Sequence, residues 1–229
     1  MYMSKIRIMK QIPLTAARKT VLYLLLAALP LALPAQTTFS ARSGSKMRIE
    51  GTSNVHDWQV ESPFISGLLV VGPDFPVEPG KKAKPGKMDA KADVSIAVRS
   101  LKSLEKDGKP YSDSMDEIMY EKLQVTAHPA ILYHLLELTL KEAPKSKDLP
   151  YVYDSKGELE VAGVTNTISM PIDITPLEGQ KLKVTGSVTL KMTDFKIDPP
   201  APKLALGLIK TGDEVKLFFE WILAPKKKT

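Results

Sequence analysis

The stretch KLKVTGSVTLKM, Lys181–Met192, alternates residue by residue. Leu182, Val184, Val188, Leu190 and Met192 fall on one side, with Gly186 between them. Lys183, Thr185, Ser187, Thr189 and Lys191 fall on the other. Successive side chains of an extended strand point to opposite faces. The segment is therefore read as a strand with one apolar and one solvated face.

The same period recurs on both sides of it. From Met88 the even positions read Met88, Ala90, Ala92, Val94, Ile96 and Val98, against a mostly polar odd set. Near the end come Val215, Leu217, Phe219, Trp221 and Leu223. Further strands are expected at Lys46–Gly51, Asp57–Glu61, Ile65–Val71, Ala130–Leu140, Tyr151–Gly163 and Thr167–Ile174. Eight or nine two-faced strands suit an antiparallel sheet closed around one interior. Periodicity alone leaves open whether that interior is packed or encloses a small ligand.

Two segments break the pattern. Pro73–Lys87 is rich in Pro, Gly and Lys and reads as a long exposed hairpin. Ser112–Val125 has helical spacing: Ser112, Asp113 or Ser114 can cap it, and Asp116 and Glu117 sit in the first turn, where the helix dipole favours acids. Met115, Ile118, Met119 and Leu123 form its apolar stripe.

The N-terminus is read separately. Lys5, Arg7, Lys10, Arg18 and Lys19 form a positive region without an acid, and the apolar run Val21–Ala35 follows. That run is short and broken by prolines, and Ala35 suits a cleavage position. The reading is a Sec-type signal peptide over 1–35, a barrel domain over 36–225 starting at Gln36, and a basic tail over 226–229. A periplasmic or secreted protein is expected.

Charge and composition exclude several classes. The chain has 32 basic and 26 acidic residues. Without the five basic residues of the leader, 27 face 26, so no extended basic surface is implied and nucleic acid is not expected as a partner. Lys226, Lys227 and Lys228 leave transient contact with a membrane surface open. There is no cysteine, which excludes disulfides, thiol catalysis and a lipid anchor on cysteine. The three histidines, His56, His128 and His134, show no metal-ligand spacing, and no metal is expected. No nucleophile-elbow, dinucleotide or phosphate-loop motif occurs.

His56-Asp57-Trp58 is the one local cluster that invites an enzymatic reading. On a strand, neighbours point to opposite faces, so His56 and Asp57 would not pair with each other. A structural role is expected for both, with Asp57 satisfying turn or cross-strand backbone groups and Trp58 filling the barrel or forming part of a ligand wall. A hydrolase or isomerase using His56 and Asp57, or His134, is the competing reading.

Four stretches together resemble the YceI-like proteins, exported bacterial lipid-binding barrels. They are GTSNVHDWQV (51–60), MDEIMYEKLQVTAHPAILYHL (115–135), GELEVAGVTNTISMPIDI (157–174) and VTLKMTDFKIDPPAPKLALGLIKTGDEVKLFFEWIL (188–223). Their order and spacing match over roughly Ser45 to Leu223. The resemblance implies an all-β fold: an extended, lipocalin-like antiparallel eight-stranded barrel with one or two short helices beside it. One of these corresponds to about Ser114–Leu123.

It also implies binding of an isoprenoid or other amphiphilic or fatty lipid, such as a polyprenyl or quinone-type chain, with no cofactor and no catalytic residues. The hairpin Pro73–Lys87 is longer and more basic than is usual in the family. By strand face, the expected ligand wall is Trp58, Ala92, Val94, Ile96, Leu182, Val184, Val188, Leu190, Leu217, Phe219 and Trp221. A packed barrel acting as an interaction module stays open beside this reading, and so does a homodimer.

Overall fold

The computed structural model describes residues 36–201 and 209–226. The leader expected over 1–35 and positions 227–229 of the tail lie outside these residues. Among the described residues, twelve strands form one sheet: β1 (Thr37–Ala41), β2 (Lys46–Ser53), β3 (Trp58–Ser62), β4 (Ser66–Val71), β5 (Gly86–Lys87), β6 (Ala90–Ala97), β7 (Lys102–Leu104), β8 (Ala130–Glu142), β9 (Tyr151–Val161), β10 (Val164–Leu177), β11 (Lys181–Lys191) and β12 (Thr211–Pro225). One helix, α1 (Asp113–Lys122), stands between β7 and β8.

Several of these strands are halves of longer ones. β1 and β2 pair with successive parts of β12: Phe39 opposite Pro225, then Met47 opposite Phe219. β4 and β3 pair with β1 and β2 in turn, and β6 and β7 pair with β4 and β3. Counting each such couple as one bent strand, eight antiparallel strands follow one another in chain order. The last, β12, returns to the first, which closes the barrel. Closure leaves the main circuit no free edge.

The inward faces are those that the alternation marks out. On β11, Leu182 and Val184 are buried while Lys181, Thr189 and Lys191 are exposed. β8 needs one adjustment. A register shift between Leu135 and Glu137 places Leu135 and Leu138 inward and leaves Leu136 exposed, the effect of a bulge on a period of two.

The barrel has two unlike ends. At one, Phe39, Val71, Leu138, Leu140, Tyr151, Tyr153, Ile174, Leu182 and Leu223 are completely or almost completely buried. Pro73–Lys87 closes this end and corrects the expectation of an exposed hairpin. Phe75 is 1% exposed and stacks on Tyr153 with ring centroids 5.9 Å apart and an interplanar angle of 6°. Lys81 Nζ donates to the carbonyls of Pro73 and Phe75, and its own carbonyl accepts from the Tyr151 hydroxyl. The lysines of the segment are exposed, and its one aromatic is a plug.

At the other end the wall is incomplete. β7 is only three residues long, and β8 pairs with β6 but not with β7. α1 stands in that interval. Ser112 caps it, its hydroxyl accepting from the Met115 N–H at 3.4 Å. Asp116 and Tyr120 are its buried residues. Asp116 accepts from the Ser103 N–H at 2.7 Å and pairs with Lys102 at 2.9 Å, while the Tyr120 hydroxyl donates to the Leu101 carbonyl at 2.8 Å. Asp116 is therefore a buried tether to β7, beyond the first-turn dipole role that its position suggests.

Candidate functional site: a cavity open at one end of the barrel

Between the helix and the barrel wall lies a cavity of about 1460 Å³. The apolar stripe of α1, Met115, Ile118, Met119 and Leu123, faces it. Across from the helix the lining comes from Val161, Leu190, Met192, Phe195, Ile197, Val215 and Leu217. Phe195 and Ile197 come from the turn that follows β11. Asn166 holds that turn by donating to the Asp194 carbonyl at 2.8 Å, and Asp213 holds it by accepting from the Thr193 N–H and hydroxyl at 2.9 and 2.7 Å. These hydrogen bonds keep the Asp213 carboxyl below its ordinary value.

Deeper in the barrel is a second cavity of about 100 Å³. Ile131, Leu159 and Leu217 line both spaces, so the two adjoin. The inner lining contains no charged residue, and its polar side-chain atoms belong to Tyr133, Ser155 and Trp221. Ser155 donates to the Met170 carbonyl at 2.9 Å. Burial pushes the Tyr133 hydroxyl pKa up, and proximity to Ser155 offsets part of the rise.

Glycines make the room for the inner aromatics. A Cβ on Gly186 would lie 2.7 Å from Phe219 Cζ, its neighbour in register on β12. One on Gly157 would lie 2.4 Å from Tyr133 Cζ and 2.5 Å from the His134 carbonyl. One on Gly51 would lie 2.2 Å from the Trp58 ring, which is opposite it in register. Each ring is laid flat over a position with no side chain, which narrows the barrel without filling it.

The expected wall residues distribute along this axis. Ala92, Val94, Ile96, Val184, Val188, Leu217, Phe219 and Trp221 line the inner cavity, and Trp58, Leu190 and Leu217 line the outer one. Leu182 lines neither; it is completely buried in the closed end opposite Leu223. Alternation set Met192 on the apolar side with Leu190 but not in the expected ligand wall, and it did not reach Phe195 and Ile197, which lie at the end of and beyond a short 3₁₀ turn where period two no longer holds. The helix stripe was visible as apolar spacing, and its direction was not.

His56 and Asp57 lie in the turn between β2 and β3, not on a strand, so the strand-face argument applies only to Trp58. The turn is held by Ser53, whose hydroxyl accepts from the Val55 and His56 N–H groups and donates to the His56 carbonyl at 2.7 Å. That is the task expected of Asp57. His56 Nδ1 lies 2.7 Å from the Asp57 backbone carbonyl, which makes it the protonated nitrogen. Nε2 then accepts from the Tyr111 hydroxyl at 3.3 Å. Trp58 Nε1 donates to the Thr52 carbonyl at 3.1 Å. His134 is paired with Asp93 at 2.7 Å on the exposed face of β8 and β6. Among the described residues, no three His, Asp or Glu side chains gather as metal ligands.

Lys106, Lys109, Lys122, Lys191 and Lys216 reach the rim of the outer cavity, and so do Glu50, Asp57, Glu105, Asp107 and Glu214. Five cations therefore face five carboxylates, and Lys109 is already paired with Asp107 at 2.6 Å. The rim is polar without a dominant sign.

The family model for the YceI-like domain matches residues 74–222. Among curated proteins, none matches the sequence. Two solved structures share the fold. BcnA of Burkholderia cenocepacia is 16% identical, with 78% of this chain and 94% of that chain covered and a TM-score of 0.54. A polyisoprenoid binding domain from Saccharophagus degradans, implicated in plant cell wall breakdown, is 13% identical, with 83% and 99% covered and a TM-score of 0.59. At these identities the likeness is one of fold. The family match spans the barrel from the plug through most of β12, and the chain belongs to the YceI-like family.

Proposed function

We propose that this protein binds and carries an isoprenoid-type or other amphiphilic lipid, without chemistry, after export to the periplasm. The observation that carries the reading is the pair of adjoining cavities: an outer one of about 1460 Å³ and an inner one with no charged residue in its wall. Such walls favour long apolar chains. The Saccharophagus degradans domain of similar fold is described as polyisoprenoid binding, which supports the same class of ligand here.

The energetics suffice. Roughly fifteen enclosed methylene groups at about 0.8 kcal/mol each give on the order of 12 kcal/mol gross. Ordering the chain and losing its translational freedom consume much of that, and micromolar binding remains within reach. The balanced rim favours a neutral or zwitterionic amphiphile as readily as an anionic one.

An enzymatic role has less support. His56 hydrogen-bonds the backbone of Asp57 and the Tyr111 hydroxyl, and His134 is engaged with Asp93 on the exterior. Neither arrangement supplies a base aimed at an activated nucleophile. Mass spectrometry of organic extracts from the protein, purified from the periplasm of a bacterial host without added lipid, tests the proposal. A stoichiometric long-chain lipid is expected; extracts free of lipid from a protein that also takes up none on incubation would refute it.

A further inference from the structure

The mouth of the outer cavity presents apolar side chains to solvent. Seven large hydrophobic side chains stand exposed among the described residues, and of these only Val55 and Tyr111 border either cavity. Val55 is 62% exposed in the turn between β2 and β3, and Tyr111 is 41% exposed in the loop between β7 and α1. The two loops meet at His56, the neighbour of Val55. Its ring stands edge-on to that of Tyr111, with centroids 5.8 Å apart, and accepts from the Tyr111 hydroxyl.

Both positions are held. The Ser53 hydroxyl accepts from the Val55 and His56 N–H groups. Asn54 exchanges two hydrogen bonds with Lys210: its N–H donates to the Lys210 carbonyl at 3.0 Å, and its side-chain oxygen accepts from the Lys210 N–H at 2.8 Å. The Tyr111 N–H donates to the Ser103 carbonyl at 2.9 Å. One exposed valine would be ordinary. Two apolar side chains fixed on adjoining loops, at the opening of an apolar cavity, form a surface for contact.

The ligand class names the occupant. A long apolar chain is nearly absent from water and collects in bilayers, because each exposed methylene is unfavourable. A mouth that meets the bilayer spares the chain that passage. Valine suits the acyl boundary; tyrosine suits the interface, where the ring is buried and the hydroxyl stays among polar groups. Five rim lysines face five carboxylates, so attachment does not need an anionic lipid. Two side chains attach weakly, which lets a carrier leave again.

We propose that the mouth of the outer cavity is a membrane-docking surface: Val55 and Tyr111 enter the headgroup region of a bilayer, and lipid passes between bilayer and cavity during that contact. The inference rests on the carrier reading and adds the place and route of loading.

The test follows transfer of anthroyloxy-labelled palmitate from the protein by stopped-flow fluorescence. One acceptor is phosphatidylcholine vesicles; the other is methyl-β-cyclodextrin, which offers no bilayer. Transfer to vesicles should accelerate in proportion to vesicle concentration and exceed transfer to cyclodextrin. Val55→Asp, at an exposed position, and Tyr111→Ser should each slow transfer to vesicles relative to cyclodextrin by about three- to tenfold. Phosphatidylglycerol in the vesicles should change the wild-type rate little. A wild-type rate independent of vesicle concentration, equal ratios in wild type and both variants, or transfer only to anionic vesicles would overturn the inference and leave the carrier reading intact. So would self-association that either substitution abolishes, which would assign the face to a second copy. Failure of the protein to bind the probe at all would overturn both.

Discussion

Asp116 Oδ2 lies 2.9 Å from Lys102 Nζ, and the carboxylate is almost fully buried while the lysine is half exposed. Its other oxygen accepts the Ser103 N–H at 2.7 Å. This one side chain fastens the helix to the short strand beside the open end. Burial alone would raise the carboxyl pKa, but the Ser103 N–H and Lys102 outweigh it and hold the group below its ordinary value. Asp116→Asn should therefore cost about 1–3 kcal/mol near neutral pH. A depressed folded-state pKa stabilises above the unfolded carboxylate value and is lost as pH falls through the folded one. The wild-type advantage should thus be complete at about pH 6 and shrink below about pH 4. Thermal unfolding of the two proteins across that range measures it, and a difference independent of pH would contradict the assignment.

Gly157 is held by backbone as well as by a ring. Alanine there would bring a Cβ within 2.5 Å of the His134 carbonyl, which belongs to the paired strand and has no freedom to withdraw. Gly157→Ala should lower stability by about 1–3 kcal/mol through overpacking, seen as a reduced midpoint in urea at unchanged slope. An unchanged midpoint would show that the Tyr133 ring and its strand move aside freely.

Phe75 closes the end of the barrel remote from the helix. Phe75→Ala removes a ring that is 1% exposed and stacked on Tyr153, for an expected loss of about 3–5 kcal/mol. Lipid uptake measured on the folded fraction should persist, because neither cavity includes Phe75 in its wall. Loss of uptake by folded protein would mean that the plug shapes the binding site.

Export makes a separate prediction. Protein recovered from the periplasmic fraction should begin at or near Gln36, as the charged segment and the apolar run Val21–Ala35 propose. N-terminal sequencing that returned Met1 would contradict the leader.

The barrel was legible where inward and outward residues differ in polarity. Leu182–Leu190 announces its faces residue by residue, and Val215–Leu223 does so through Lys216 and Glu220, with Phe218 and Ile222 apolar on the outer face. β7 was missed because three residues are too few to display a period, and β1 because Phe39 is the one buried apolar side chain among its threonines and serine. The bulge at Leu135–Glu137 was hidden in a leucine-rich stretch, where Leu136 looks no different from the leucines that point inward. Phe75 was submerged in a segment whose composition is that of a loop, and only its contact with Tyr153 shows what it does. For the site, alternation identified wall residues on β6, β11 and β12 but gave no depth. Leu182 and Val188 share a face, yet one is packed into the closed end and the other borders the inner cavity. Depth depends on which end of the circuit is plugged, a tertiary property that no single strand carries.

The central claim is that the barrel interior holds the lipid, and a charge placed on its wall tests it most directly. Val188 lines the inner cavity; its neighbour Thr189 is exposed. An aspartate at Val188 would stand unpaired in an apolar space, whereas one at Thr189 would be solvated. Displacement of a fluorescent polyprenyl or fatty probe from the two folded variants measures the difference. Val188→Asp should lose most of its affinity and Thr189→Asp should keep that of the wild type; equal affinities in the two would contradict the account.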